Sequence, residues 1–300
     1  MSHDAGPHSA GLYRAAMFDA GAWLARIFPL AFLRAWAGAA GWLYALTHPA
    51  RVDVVEQNLR LLDRSLTYDS ARRVYAEFGK TLADYFHIGT RAPEKAARLI
   101  TRIDGLENLR AAQASGRGVL IVTAHFGLFE LGALLLTQHG FPAVVLTYPE
   151  QSRALTEWRA AFRQRWGAGT VEIGADSFAF LQIAALLREG KFVCTLVDRP
   201  HPTDSTPVQL PAGTANFSTG ILLLAASAGV PVVPATMVRR ADGGYHAQVF
   251  APLLIEDRGS RVETLRHHSQ RLADTFAPVL CAHPEQWYQF VPLTSAPPKT

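Results

Sequence analysis

Cysteine is nearly absent from this 300-residue chain: Cys194 and Cys281 are the whole supply. Two cysteines build no disulfide framework, and their spacing matches no zinc or redox motif. A reducing compartment is the default expectation. Long runs of one charge are also missing. The net charge is +4, but the basic residues are mostly dispersed arginines. That argues against nucleic acid and suits an anionic membrane surface or an acidic partner. No Gly-x-Ser-x-Gly elbow is present, which speaks against an α/β hydrolase. No Gly-x-Gly-x-x-Gly follows a strand pattern, which speaks against dinucleotide binding. Residues 1–16 lack a basic start followed by an apolar core, so no secretory signal is expected.

Bilayer-spanning runs are lacking too. The uncharged run 35–47 is shorter than the roughly 20 residues a spanning helix needs. A longer uncharged run, 205–238, holds Pro207, Pro211, Pro231 and Pro234 with Gly213, Gly220 and Gly229. Those residues break it into loop, helix and strand.

What is present is apolar and aromatic. The chain is 49% hydrophobic and 18% charged, with a mean hydropathy of +0.08. A sizeable core or a membrane-facing surface follows. Residues 12–47 read as one or two helices carrying Trp23, Phe28, Phe32, Trp36, Trp42 and Tyr44, interrupted by Arg26 and Arg34. Aromatics mixed with arginines suggest helices lying in a membrane interface; a core helix pair with an aromatic stripe is the alternative. Further helices are expected over 51–62 and 68–87, and Pro93 opens another at its first turn.

From about residue 101 strands and helices alternate. Strands are expected at 119–124, 143–147, 170–173, 192–197, 231–238 and 245–251. Helices are expected at 105–115, 127–139, 152–167, 176–189, 216–228 and 261–281. The rhythm predicts an α/β fold: a mixed, mostly parallel sheet flanked by helices, behind an N-terminal helical region. The chain divides into a membrane-associating region 1–100, an α/β domain 101–294 continuous with it, and a loose Pro-rich tail 295–300.

Chemistry centres on the run Val119-Leu120-Ile121-Val122-Thr123-Ala124-His125, followed by Phe126-Gly127-Leu128-Phe129-Glu130. A β-branched strand ending in histidine holds an imidazole rigidly at a cleft edge. A carboxylate nearby can orient the ring and stabilise its charged form. Five residues apart on one helix would put His125 and Glu130 about 140° apart. They meet only if His125 ends the strand and Glu130 lies within the next helix, with Gly127 at the bend. The plainer alternative is a capping His beside a salt-bridging Glu.

Ordered blocks around this segment resemble the bacterial lipid A biosynthesis acyltransferases, within the His-x4-Asp/Glu acyltransferases. They are Glu56-Gln57-Asn58-Leu59, Gly105-Leu106-Glu107-Asn108-Leu109, Gly116-Arg117-Gly118-Val119, Tyr148-Pro149, Arg163-Gln164-Arg165, Asp198-Arg199, Leu210-Pro211, Thr219-Gly220, Gly229-Val230-Pro231-Val232-Val233-Pro234 and Pro284-Glu285-Gln286-Trp287-Tyr288. The likeness runs from about residue 51 to 290.

The resemblance implies transfer of a fatty acyl chain from acyl carrier protein or coenzyme A to a hydroxyl of a lipid or glycolipid. No cofactor, metal or covalent acyl-enzyme is implied. His125 would be the general base and Glu130 its orienting partner. Arg163 and Arg165 would bind phosphate, against the alternative of a solvated helix face. Asp198, at the end of a strand, would open onto the same cleft edge as His125 if the sheet is parallel there, and would help position the acceptor, unless it only caps a turn; Asp204 is a lesser candidate. The implied location is the cytoplasmic face of a bacterial inner membrane.

Departures from the family pattern bear on the acceptor. Leu128 and Phe129 stand where many members carry Asn and Trp, and Gln289-Phe290-Val291-Pro292-Leu293 replaces a basic segment. Ala212 and Ala215 occupy the Glu and Arg places of the glycerol-phosphate acyltransferase block, which argues against glycerol 3-phosphate. Acceptors other than lipid A stay open, as does a non-catalytic lipid-binding protein on the same fold. His139, His246, His267, His268 and His283 show no metal-ligand spacing.

Overall fold

In a computed structural model that describes residues 15–114, 116–149, 153–173, 178–199 and 204–294, a seven-stranded sheet carries the site. The strands are β1 (Ile100–Asp104), β2 (Val119–Thr123), β3 (Ala143–Thr147), β4 (Gly169–Glu172), β5 (Phe192–Leu196), β6 (Thr206–Leu210), β7 (Gly213–Phe217), β8 (Val232–Arg239) and β9 (Tyr245–Val249). The sheet order is β1-β9-β8-β2-β5-β3-β4, with β6–β7 a separate hairpin. Every pairing in the large sheet is parallel except β8 with β9. The mixed, mostly parallel sheet expected from the sequence is what the chain forms.

The helices are α1 (Ala15–Ile27), α2 (Leu30–Thr47), α3 (Pro49–Leu59), α4 (Tyr68–Gly89), α5 (Pro93–Ala97), α6 (Leu106–Gln113), α7 (Glu130–Gln138), α8 (Arg153–Gln164), α9 (Phe178–Arg188), α10 (Ile221–Ala228) and α11 (Arg261–Ala282). Successive strand side chains point to opposite faces, and the two main cores follow that alternation. Leu120, Val122, Val144, Leu146 and Val193 pack with Ile183, Leu222 and Phe276 of α9, α10 and α11. Val119, Ile121, Ala143, Val145 and Phe192 pack with Leu109, Leu134 and Phe162 of α6, α7 and α8. The continuous apolar runs of the inner strands reflect burial on both faces.

The N-terminal helices pack on this sheet through polar anchors. Arg34 of α2 donates to the buried Asp84 of α4 at 2.5 Å and to the Gly243 carbonyl at 2.7 Å. The Tyr245 hydroxyl of β9 donates to the other Asp84 oxygen at 2.6 Å. Arg34, which interrupts the apolar run, is therefore a clamp between α2, α4 and the sheet. The aromatics divide. Trp23, Phe28, Phe32 and Trp36 are exposed, Trp36 at 60%, whereas Trp42 and Tyr44 are partly buried. Phe32, Trp36, Leu43 and Leu46 fall on one face of α2 at helical spacing, and all are exposed. Among the described residues no helix is long and apolar enough to cross a membrane.

Three strands were not legible in the sequence. The reading of 216–228 as a helix is corrected: 213–217 is strand β7, and α10 begins at Ile221. The hairpin's other strand, β6, alternates buried and exposed residues, but Pro207 and Pro211 mask it. Proline is tolerated there because a two-stranded hairpin leaves ladder positions unused. Edge strand β1 is short and mostly unburied. The tail 295–300, residues 1–14 and the expected starts of the helices at 152 and 176 lie outside the described residues.

Candidate active site

His125 stands two residues past the end of β2, where the buried strand fixes its backbone. β5 pairs with β2 in parallel, Thr123 opposite Leu196. Two residues further on, the same register sets His125 beside Asp198. This is the carboxyl end of a parallel sheet, where α/β proteins place ligand sites.

Asp198 is fully buried and holds the imidazole. His125 Nδ1 lies 2.7 Å from Oδ1, and the His125 backbone N–H donates to the two carboxylate oxygens at 3.0 and 2.9 Å. Trp287 Nε1 donates to Oδ2 at 2.8 Å, and Gln289 Nε2 donates to the same oxygen. Burial alone would raise the Asp198 pKa. His125, the Trp287 indole and Arg199 outweigh it and hold the carboxyl below the usual range. An ionised Asp198 only accepts, so Nδ1 carries the ring proton and the lone pair sits on Nε2.

The imidazole side chain is 19% exposed. Its pKa is pushed down, first by burial and then by the positive charge of Arg199, with Asp198 pulling it back up. A neutral imidazole at neutral pH can accept a proton. Arg199 is held beside it by the Tyr288 carbonyl at 3.0 Å and Gln289 Oε1 at 3.3 Å.

Glu130 is elsewhere in the network. It is the first residue of α7, and its oxygens receive Arg163 Nη2 at 2.7 Å and Nε at 3.1 Å. Arg159, one helical turn from Arg163, reaches Glu130 Oε1 at 3.5 Å. Burial would raise the Glu130 pKa, but Arg163 and Arg159 hold it below the usual carboxylate range. The carboxylate in contact with the imidazole is thus Asp198, and Glu130 fastens α7 to α8. The bend explains this geometry. Gly127 has φ +54°, and an added Cβ would collide with the Met237 carbonyl oxygen. The turn there starts α7 with Glu130 facing α8.

The other sequence candidates divide as clearly. Arg163 is buried on Glu130. Arg165 faces away: its guanidinium donates to the Gly89 carbonyl at 2.5 Å and lies over Phe162. Asp204 accepts from Ser218 and from the Thr219 and Gly220 backbone N–H groups before α10. His246 pairs with Asp104, and His268 bonds the Glu256 backbone. Cys194 is partly buried, and burial pushes its thiol up to about 12, so it is no thiolate nucleophile at neutral pH.

Sequence reasoning did not assign Trp287, Gln289, Arg199 or Arg159 to the site. The signal for the first was the Pro284-Glu285-Gln286-Trp287-Tyr288 block, which folds directly onto the histidine loop. Tyr288 N donates to the His125 carbonyl at 2.8 Å, and Gly127 N donates to the Gln286 carbonyl at 3.0 Å. Asn58, buried in α3, donates to the Gln289 and Val291 carbonyls at 2.9 and 2.8 Å and accepts from Leu293 N at 3.1 Å. It holds the chain that presents Gln289.

A narrow apolar slot of about 70 Å³ lies between α7 and the sheet. Phe129, Glu130, Thr195, Leu196, Leu135, Val145, Cys194 and Met237 are among the residues that line it. Phe129 meets the imidazole edge-on at 5.8 Å between ring centres.

The described geometry is a carboxylate-held histidine at the carboxyl end of a parallel sheet, with a narrow apolar slot close by. The chain belongs to the family described as bacterial lipid A biosynthesis acyltransferase, which it matches over residues 12–293. It is 24% identical over 217 residues to a phosphatidylinositol mannoside acyltransferase of Mycobacterium tuberculosis, covering 72% of this chain and 67% of that protein. It is 28% identical over 156 residues to the lipid A biosynthesis palmitoleoyltransferase of Escherichia coli, covering 51% and 49%. With the lipid A biosynthesis lauroyltransferase of the same organism the identity is 28% over 211 residues, covering 67% and 66%.

Proposed function

We propose that this protein transfers a fatty acyl group from a thioester, carried by acyl carrier protein or coenzyme A, to a hydroxyl of a glycolipid acceptor at a membrane surface. The observation that carries the reading is the neutral His125, held by Asp198 through Nδ1, partly exposed, and in ring contact with Phe129, which lines an apolar slot.

The chemistry follows from that arrangement. His125 Nε2 takes the proton as the acceptor oxygen attacks the thioester carbonyl. Asp198 stabilises the imidazolium that forms, a contribution that general-base catalysis sets at about 10²–10⁴-fold. Arg159 and Arg199, whose charges both depress the His125 pKa, offset the negative charge developing on the carbonyl oxygen. The carbon–sulfur bond then breaks, and the imidazolium proton passes to the departing thiolate. No side chain is acylated in this scheme.

The donor's chain enters the slot between α7 and the sheet, and side chains such as Met237 shift to admit it. The exposed apolar face of α1 and α2 rests on the membrane that holds the acceptor. Lipid mass spectrometry of cells carrying the wild type or His125→Ala tests this. One acylated glycolipid is expected only with the wild type. Identical lipid profiles, together with retained lipid binding by the variant, would favour a lipid-binding protein instead.

A further inference from the structure

An open cleft of about 770 Å³ lies between α1 and α8, and none of the residues that hold His125 line it. Its charged lining is Arg26 at the end of α1, Arg165 just past α8, and Asp19 one turn into α1. Trp23, exposed at the rim, and Trp158 supply aromatic walls. The Arg165 guanidinium is fixed by the Gly89 carbonyl and by Phe162, so it is aimed before any ligand arrives. Arg26 is exposed beside Ile27, whose side chain belongs to the outward apolar surface of α1.

We propose that this cleft binds the headgroup of an anionic phospholipid whose headgroup carries hydroxyls, such as phosphatidylglycerol. Arg165 and Arg26 take the phosphate, as guanidinium forks match phosphate oxygens. Asp19 accepts from a headgroup hydroxyl. The Trp23 indole lies at headgroup level, where tryptophan is favoured because one end is apolar and the other polar. Two guanidiniums against one carboxylate leave the lining positive. The site rests on the membrane-surface reading above and adds lipid selectivity to it, because the apolar face by itself does not distinguish charged from neutral headgroups.

The test is vesicle flotation of the full chain on phosphatidylcholine with and without phosphatidylglycerol, paired with titration of monomeric dihexanoyl-phosphatidylglycerol followed by tryptophan fluorescence. The wild type should favour the anionic vesicles. Arg26→Gln with Arg165→Gln should lose about 25-fold of that preference, roughly fivefold for each guanidinium, and keep its binding to phosphatidylcholine. Arg26→Gln alone should lose about fivefold; its exposed side chain keeps this variant folded. Trp36→Asp should weaken binding to both vesicles and leave the soluble-lipid titration unchanged. An unaltered anionic preference in the double variant overturns the proposal, as does inorganic phosphate binding as tightly as the soluble lipid. A wild type that binds no vesicle overturns the membrane reading, and the soluble-lipid titration then still decides the cleft.

Discussion

Asp198→Asn separates the two carboxylates that sequence reasoning and structure assign to the histidine. The carboxylate accepts from the His125 backbone, His125 Nδ1, Trp287 Nε1 and Gln289 Nε2. An amide has one acceptor oxygen, so its NH₂ must face some of these donors. If the oxygen stays with Trp287 and Gln289, the NH₂ meets Nδ1, forces the proton to Nε2, and removes the lone pair that takes the substrate proton. A wrong tautomer of this kind costs about 10⁴-fold in kcat in the Ser-His-Asp hydrolases, and a loss of 10³–10⁴ is expected here. The assay is initial rate against pH with an acyl thioester and a glycolipid acceptor.

On the proposed mechanism His125 must be neutral to act, and its pKa lies below the ordinary 6.5. The rate should rise with pH through that lowered value and be flat at neutrality. Asp198 pulls the His125 pKa up, so in Asp198→Asn the residual activity should have its acid limb at lower pH. Glu130→Ala should move the limb less than Asp198→Asn, because Glu130 does not touch the imidazole and reaches it only through Arg159. Its cost falls on Arg163, left buried without its partner: about 3–5 kcal/mol of stability, a fall in Tm on the order of 10 °C. An Asp198→Asn enzyme within tenfold of wild type, with an unmoved limb, would refute the assignment, most decisively if Glu130→Ala shifted the limb instead.

Other predictions follow the same geometry. Gly132 lines the slot, and a Cβ built there meets nothing within 4 Å. Gly132→Leu should therefore turn the enzyme from palmitoyl towards octanoyl thioesters by about tenfold or more in kcat/KM, since each methylene in an apolar pocket counts for about 1–3 kcal/mol. Gly132→Ala should stabilise α7 by roughly 0.5–1 kcal/mol through helix propensity, read as a raised Tm. Asn58→Ala should lower stability by about 1–3 kcal/mol through the carbonyls it leaves unpaired, and denaturant titration measures this. Phe32→Asp with Trp36→Asp should abolish vesicle flotation while Tm stays within a few degrees, because both rings are exposed.

Much of this was legible in the sequence because the physics was local. Apolar runs of β-branched residues marked β2, β3, β5 and β8, and helical spacing marked α3 and α4. A β-branched run leading into His125 announced a rigidly held imidazole, which stands two residues past the strand's end. The part that was not legible depends on which strands become neighbours. Seventy-three positions separate His125 from Asp198, and only the parallel β2–β5 register brings them together. Glu130 was near in sequence and took the role on paper, but the turn at Gly127 aims it at Arg163. The two arginines also looked alike on paper. One is buried on Glu130, and the other, just past the end of α8, turns to the Gly89 carbonyl and lines a separate cleft, since positions two apart do not face the same way.

The most direct measurement is a single turnover of purified protein with acyl thioester and glycolipid acceptor, reading lipid product and intact protein mass together. Acylated product that forms with the wild type, is lost in His125→Ala, and leaves the protein mass unchanged throughout is the predicted result. An acylated protein that decays into product, or full turnover by His125→Ala, would contradict it.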